Sequence, residues 1–122
     1  MTATDKNRLH TFSIVTNDHP GVLVRIALVF ARRGYNIESL AVSPGVKSGF
    51  ARMTITSRGD AQNIDQIVSQ LAKLVDVVYV TDHRDTAPVE VEIALLKLRA
   101  PRASRDEIRR IATQFESRLV DE

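Results

Sequence analysis

Along residues 9–81 the apolar side chains switch between a period of two and a period of about 3.6, and the order of those switches leaves few folds open. Leu9 to Thr16 alternates as a strand, with Phe12 and Ile14 on one face and Val15 on the other. Asn17-Asp18-His19-Pro20-Gly21 is a cluster of turn formers. Val22 to Arg33 then reads as a helix, with Leu23, Ile26, Ala27 and Phe30 as its core stripe. Gly34 is expected to stop it, and Arg32 and Arg33 suit the negative end of the helix dipole. Tyr35 to Ser43 reads as a second strand and Pro44 to Gly49 as a loop. Phe50 to Ser57 reads as a third strand, Ala51, Met53 and Ile55 facing one way and Arg52, Thr54 and Thr56 the other. Asp60 is placed to cap a second amphipathic helix carrying Ile64, Ile67, Val68, Leu71 and Leu74. Val77 to Thr81 is a β-branched fourth strand. Strand-helix-strand-strand-helix-strand within about 75 residues is the ferredoxin-like α+β pattern, an antiparallel sheet with two helices on one face.

The remaining chain begins a second unit. A flexible N-terminus over 1–8, a first domain over 9–83, a linker over 84–89 and a partial C-terminal domain over 90–122 are expected. Glu90 to Leu98 reads as a fifth strand, with Val91, Ile93 and Leu95 alternating against Glu90, Glu92 and Ala94. Pro101 ends it, and Ser104-Arg105-Asp106-Glu107 reads as a capping box opening a third helix with Ile108, Ile111, Ala112 and Phe115. One strand and one helix cannot bury their own apolar faces, so this incomplete β-α unit needs cover.

The first helix carries more apolar surface than one core requires. Val22, Val24, Leu28, Val29 and Ala31 spread beyond the stripe, and Arg25, Arg32 and Arg33 are the charged residues. A second subunit is the expected cover.

Charge and composition exclude several classes. The 17 basic and 15 acidic residues leave a net charge of +2, too little to argue for nucleic acid. The basic excess gathers near the C-terminus, in Lys97, Arg99, Arg102, Arg105, Arg109, Arg110 and Arg118. The face formed by Arg105, Arg109 and Arg110 reads either as a solvated helix face or as a docking surface for an acidic partner. The RNA-binding form of the fold places aromatics on its central strands, where this chain has Arg52, Met53 and Thr54. The absence of cysteine excludes disulfides and thiolate chemistry. No apolar run reaches the roughly 18 residues of a membrane span, and Met1 to His10 lacks a signal-peptide pattern, so a cytoplasmic protein is expected.

Catalytic signatures are missing. His10, His19 and His83 have no metal-ligand spacing and read as surface or loop histidines. His83-Arg84-Asp85 lacks the other kinase motifs and reads as solvated linker. Glycine-rich phosphate loops are absent, and Ser13, Ser39, Ser43 and Ser48 have no base placed by motif. The informative segment is the start of the first helix. Free amides at a helix N-terminus, with a glycine that lets a ligand approach, suit a carboxylate, and Asp18 beside them suits a cationic amine. Together they describe an α-amino acid. An ordinary turn with Asp18 as helix cap fits the same spacing.

Asp18-His19-Pro20-Gly21-Val22-Leu23, Arg32 to Val42 (Arg-Arg-Gly-Tyr-Asn-Ile-Glu-Ser-Leu-Ala-Val), Arg52-Met53-Thr54-Ile55 and Gln70 to Val77 resemble the small regulatory subunits of acetolactate synthase (acetohydroxyacid synthase). The likeness continues through Glu92 to Lys97 and Arg105 to Ile108 and covers about residues 9–121. It implies an ACT domain that pairs edge to edge with a second copy into one eight-stranded sheet. It also implies a large catalytic partner that holds thiamine diphosphate, magnesium and FAD, with no such cofactor in this chain. The small subunit would raise the partner's activity and make it sensitive to valine. By position, Gly21 and Val22 would offer amides to the valine carboxylate, Asp18 would lie at the ligand's polar end, and Pro20 and Leu23 would complete the loop and helix start. Asn36 and Ile37 of the second copy would close the site. Several family members have asparagine where Asp18 stands, and a carboxylate there attracts the ligand's ammonium but repels its carboxylate. The family commonly completes a second β-α-β-β-α-β domain, so a fragment or a short variant is expected. A free-standing amino-acid sensor of the same fold and a ferredoxin-like nucleic-acid-binding module are the alternatives.

Overall fold

The computed structural model describes residues 7–122 and divides the chain into two units that meet at Val89 and Glu90. The first holds β1 (Arg8–Asn17), α1 (Val22–Arg32), β2 (Ile37–Pro44), β3 (Phe50–Gly59), α2 (Ala61–Ala72) and β4 (Val77–Asp82). The sheet runs β2-β3-β1-β4 with every pair antiparallel, as the ferredoxin-like pattern requires. β1 and β3 are central, and β2 and β4 are the edges. Of the N-terminal segment expected to be flexible, residues 1–6 lie outside the described residues, and Arg8 already belongs to β1, opposite Gly59.

Each element ends for a local reason. Asp60 caps α2, its carboxylate accepting from the Asn63 amide at 2.9 Å. Gly34 takes φ +71 after α1, and its amide and that of Tyr35 donate to Ala31 and Phe30 at 3.0 Å each. That pair of bonds is a Schellman stop, which calls for a residue at ease with positive φ. The core lies between the sheet and the two helices. Phe12 and Ile14 of β1, Met53 and Ile55 of β3, Val22, Ile26 and Phe30 of α1, and Ile64, Ile67 and Leu71 of α2 are buried together. Phe12 and Phe30 meet edge to face with centroids 5.9 Å apart.

Two residues of the first unit depart from the sequence expectation, Leu23 and His10. The buried line of α1 is Val22, Ile26 and Phe30, with Val29 packed beside it, and Leu23 is 38% exposed. The helix begins directly after Gly21, so Val22 takes the first inward position and Leu23 turns outward with Val24 and Leu28. His10 is not a surface histidine. It is buried on the helix side of β1 beside Phe12, and its Nε2 donates to the Gly59 carbonyl at 3.1 Å.

The second unit holds α3 (Arg102–Gln114). Glu90 to Leu98 forms no strand: a strand needs a ladder on at least one side, and this unit provides none among the described residues. Val91, Ile93 and Leu95 are accordingly exposed. The expected capping box is not used either. α3 starts three residues earlier, with Pro101 in place of Ser104 at the cap position and no side-chain cap, which leaves Ser104 inside the first turn.

Candidate functional site

The loop Asp18–Gly21 turns β1 into α1, and backbone bonds fix both of its flanks. The Asn17 amide donates to the Asp76 carbonyl at 2.8 Å, and the Asp18 amide donates to the Gly49 carbonyl at 3.0 Å. Gly21 is the cap residue of α1, with φ +90 and ψ −14, and no side chain caps the helix. Asp18 is therefore not a cap, and its carboxylate is exposed beside the loop. The Arg25 amide donates to the Gly21 carbonyl at 3.2 Å, the first bond of the helix. The amides of Val22 and Leu23 lie ahead of that bond, at the positive end of the helix dipole. Pro20 brings no amide of its own, and Pro20 and Gly21 are exposed, so the approach is open.

Asp76 organises the rest of the site from the connection between α2 and β4. Its carboxylate accepts from His19 Nε2 at 2.5 Å and from Arg25 Nη2. Burial pushes the Asp76 carboxyl up, but the hydrogen bonds from Arg25 and His19 and their charges outweigh it and hold the group below the usual carboxylate range. Arg25 in turn bends back over the helix start, where a Cβ added to Gly21 would meet its Nη1 at 3.4 Å. Thus the site carries a carboxylate at Asp18, free amides at Val22 and Leu23, and a tethered guanidinium above Gly21. Such a set can take a small molecule with a negative and a positive end.

Asn36 and Ile37 are not brought to this loop within one chain. Ile37 lies across from Ser57, and the Asn36 carbonyl accepts from Ser57 Oγ at 2.7 Å. Asn17 lies across from Phe50. Seven residues of β3 separate those two rungs, or about 24 Å at the usual strand rise. Asp18, Pro20, Gly21, Val22 and Leu23 therefore share one end of the sheet, and Asn36 and Ile37 mark the other. Sequence reasoning missed His19, Arg25 and Asp76 as members of the site. Arg25 carried a signal: it is the lone charge from Val22 to Ala31 of an apolar helix, four residues beyond Gly21. Asp76 carried none, because its partners lie 57 and 51 residues away.

Residues 12–79 match the family model for the AHAS small subunit-like ACT domain. The chain belongs to the acetolactate synthase small-subunit family. It is 43% identical over 113 residues to the probable acetolactate synthase small subunit of Methanothermobacter thermautotrophicus, covering 92% of this chain and 67% of that protein. It is 44% identical over 109 residues to the acetolactate synthase small subunit of Haemophilus influenzae, covering 89% of this chain and 67% of that protein. The crystal structure of the acetolactate synthase small subunit from Thermotoga maritima superposes with a TM-score of 0.75 at 31% identity, over 94% of this chain and 72% of that one. The matched family region begins at Phe12 in β1 and ends at Tyr79 in β4, so the loop at Asp18–Gly21 and the segment at Asn36–Ile37 both lie inside it. The described residues contain no group of three or more ligating side chains arranged to hold a metal, and no helix among them is long and apolar enough to cross a membrane.

Proposed function

We propose that this small subunit activates the thiamine-diphosphate-dependent catalytic subunit of acetolactate synthase and makes it answer to valine bound between two ACT domains. Thiamine diphosphate, magnesium and FAD belong to the catalytic partner in this reading.

The observation that carries it is the outer edge of β2, which pairs with no strand among the described residues, together with its apolar side chains. Leu40 and Val42 lie across from the buried Ile55 and Met53, on the helix side of the sheet, yet are 42% and 49% exposed. Leu23, Val24 and Leu28 of α1 are exposed as well. Large exposed apolar groups beside an unpaired strand edge favour docking of a second copy. If two β2 strands pair antiparallel about a two-fold axis, the start of one lies beside the end of the other. The partner's Asn36 and Ile37 then approach the Pro44 end of β2, which is the end of the sheet that carries Asp18–Gly21. Each site would be completed across the interface.

Regulation follows as a two-state linkage. Valine would bind one dimer geometry better than the other, and that geometry would activate the catalytic subunit less. The shift is limited to valine's differential affinity for the two states, typically about 1–3 kcal/mol of coupling. The test is reconstitution. This chain is added to the matching catalytic subunit, and acetolactate formation is measured with and without valine. A rise on addition and a fall with valine are expected, and no rise would end the proposal.

A further inference from the structure

We infer that Arg25 is the carboxylate-binding side chain of the effector site and that Asp76 positions it, an assignment that rests on the effector reading above. With Asp18 at the mouth of the loop, the backbone amides alone make a poor carboxylate site, since a negative side chain stands beside them. A fixed cation on the amide side removes that conflict. Arg25 is half-exposed, so a ligand can reach it. A guanidinium has five N–H donors in a rigid fork. Asp76 takes one donor on Nη2, and Nη1 stands over Gly21 at the helix start. Nη1 therefore stands beside the helix start to which the Val22 and Leu23 amides belong, and a ligand carboxylate held there would be gripped by charge-assisted hydrogen bonds.

Asp76 supplies what an exposed arginine lacks, a defined direction. Its residue is buried, it is tied through its own carbonyl to the Asn17 amide, and its second oxygen is held by His19. The guanidinium is thus anchored to β1, to the loop and to the start of β4 at once. The site acquires a polarity: carboxylate end toward Arg25 and α1, ammonium end toward Asp18. It selects for a free α-carboxylate.

Calorimetry with L-valine and valinamide, which keeps the ammonium and loses the carboxylate, tests this on the full chain. The wild-type chain should bind valine and bind valinamide at least about tenfold more weakly. Arg25→Ala should weaken valine about ten- to a hundredfold and bring the two ligands to similar affinity. Arg25→Lys should fall between, because it keeps the charge and loses the fork. Asp76→Asn should narrow the valine-to-valinamide ratio, which a change in stability alone would leave intact. Should Arg25→Ala fail to fold, as judged by circular dichroism, Arg25→Gln carries the same comparison. Wild-type binding with an undiminished ratio in the arginine variants overturns the role of Arg25 alone. A wild-type chain that gives no heat with valine, leucine or isoleucine overturns the effector reading as well.

Discussion

Leu40 lies directly across the β2–β3 ladder from Ile55, on the same face of the sheet, yet Ile55 is fully buried and Leu40 is 42% exposed. The difference is one strand of cover. Cross-strand neighbours share a face, and the core simply ends before it reaches the edge. A charge at Leu40 therefore leaves the monomer's interior intact and strikes the edge proposed to receive the second copy. Leu40→Glu is expected to weaken self-association by on the order of 2 kcal/mol, about thirtyfold in Kd. Sedimentation equilibrium reads the loss, with circular dichroism unchanged.

Gly21 holds φ +90, where an L side chain is strained whatever the space around it. Gly21→Ala should cost about 1–2 kcal/mol in urea unfolding, although its Cβ would meet Arg25 only at an ordinary contact distance. Gly21→Asp adds a carboxylate where the ligand's own should lie, and calorimetry with valine is expected to show no binding.

Asp76 gives the stability a pH dependence with a definite sign. Its carboxyl is held below the usual range in the folded chain, despite burial, by Arg25 and His19. The unfolded chain therefore takes up the proton first. The stabilisation is complete above the ordinary carboxylate value of about 4 and is lost as the pH falls through the lower folded value. Asp76→Asn should unfold at lower denaturant than wild type at pH 7, and the two chains should converge in strong acid. An unchanged gap between them across that range would contradict the pairing.

Asp60 is the one side-chain cap found on the helices of the described residues. Asp60→Ala is expected to cost about 0.5–2 kcal/mol. Asp60→Asn should cost less, since an amide oxygen can still accept from the Asn63 amide. Thermal unfolding of both variants separates the cap from the charge.

The fold was legible where periodicity and punctuation agreed. Phe12 and Ile14 against Val15, the stop at Gly34 and the cap at Asp60 are local signals, and each stands where its residues indicate. Periodicity placed Leu23 inward and was wrong, because α1 is apolar on most of its circumference and such a stripe does not fix the helix's rotation. Alternation proposed a strand over Glu90 to Leu98, but a strand is a property of two segments, and among the described residues no strand forms there. His10 looked like a surface residue because burial of an imidazole depends on an acceptor, the Gly59 carbonyl, that lies 49 residues away. At the candidate site the backbone part was readable from the turn formers before α1. The His19–Asp76–Arg25 cluster was not, since it is assembled by the return of β4 alongside β1.

The separation of Asn17 from Asn36 along the sheet has a genetic consequence. If one copy lends the loop and the other lends the closing segment, two different damaged chains can repair each other. A chain altered at Gly21 and one altered at Asn36 should each be insensitive to the effector when expressed alone. Co-expressed, half of their dimers should be mixed, and every mixed dimer holds one doubly injured pocket and one wholly intact. Partial sensitivity should return from two null alleles.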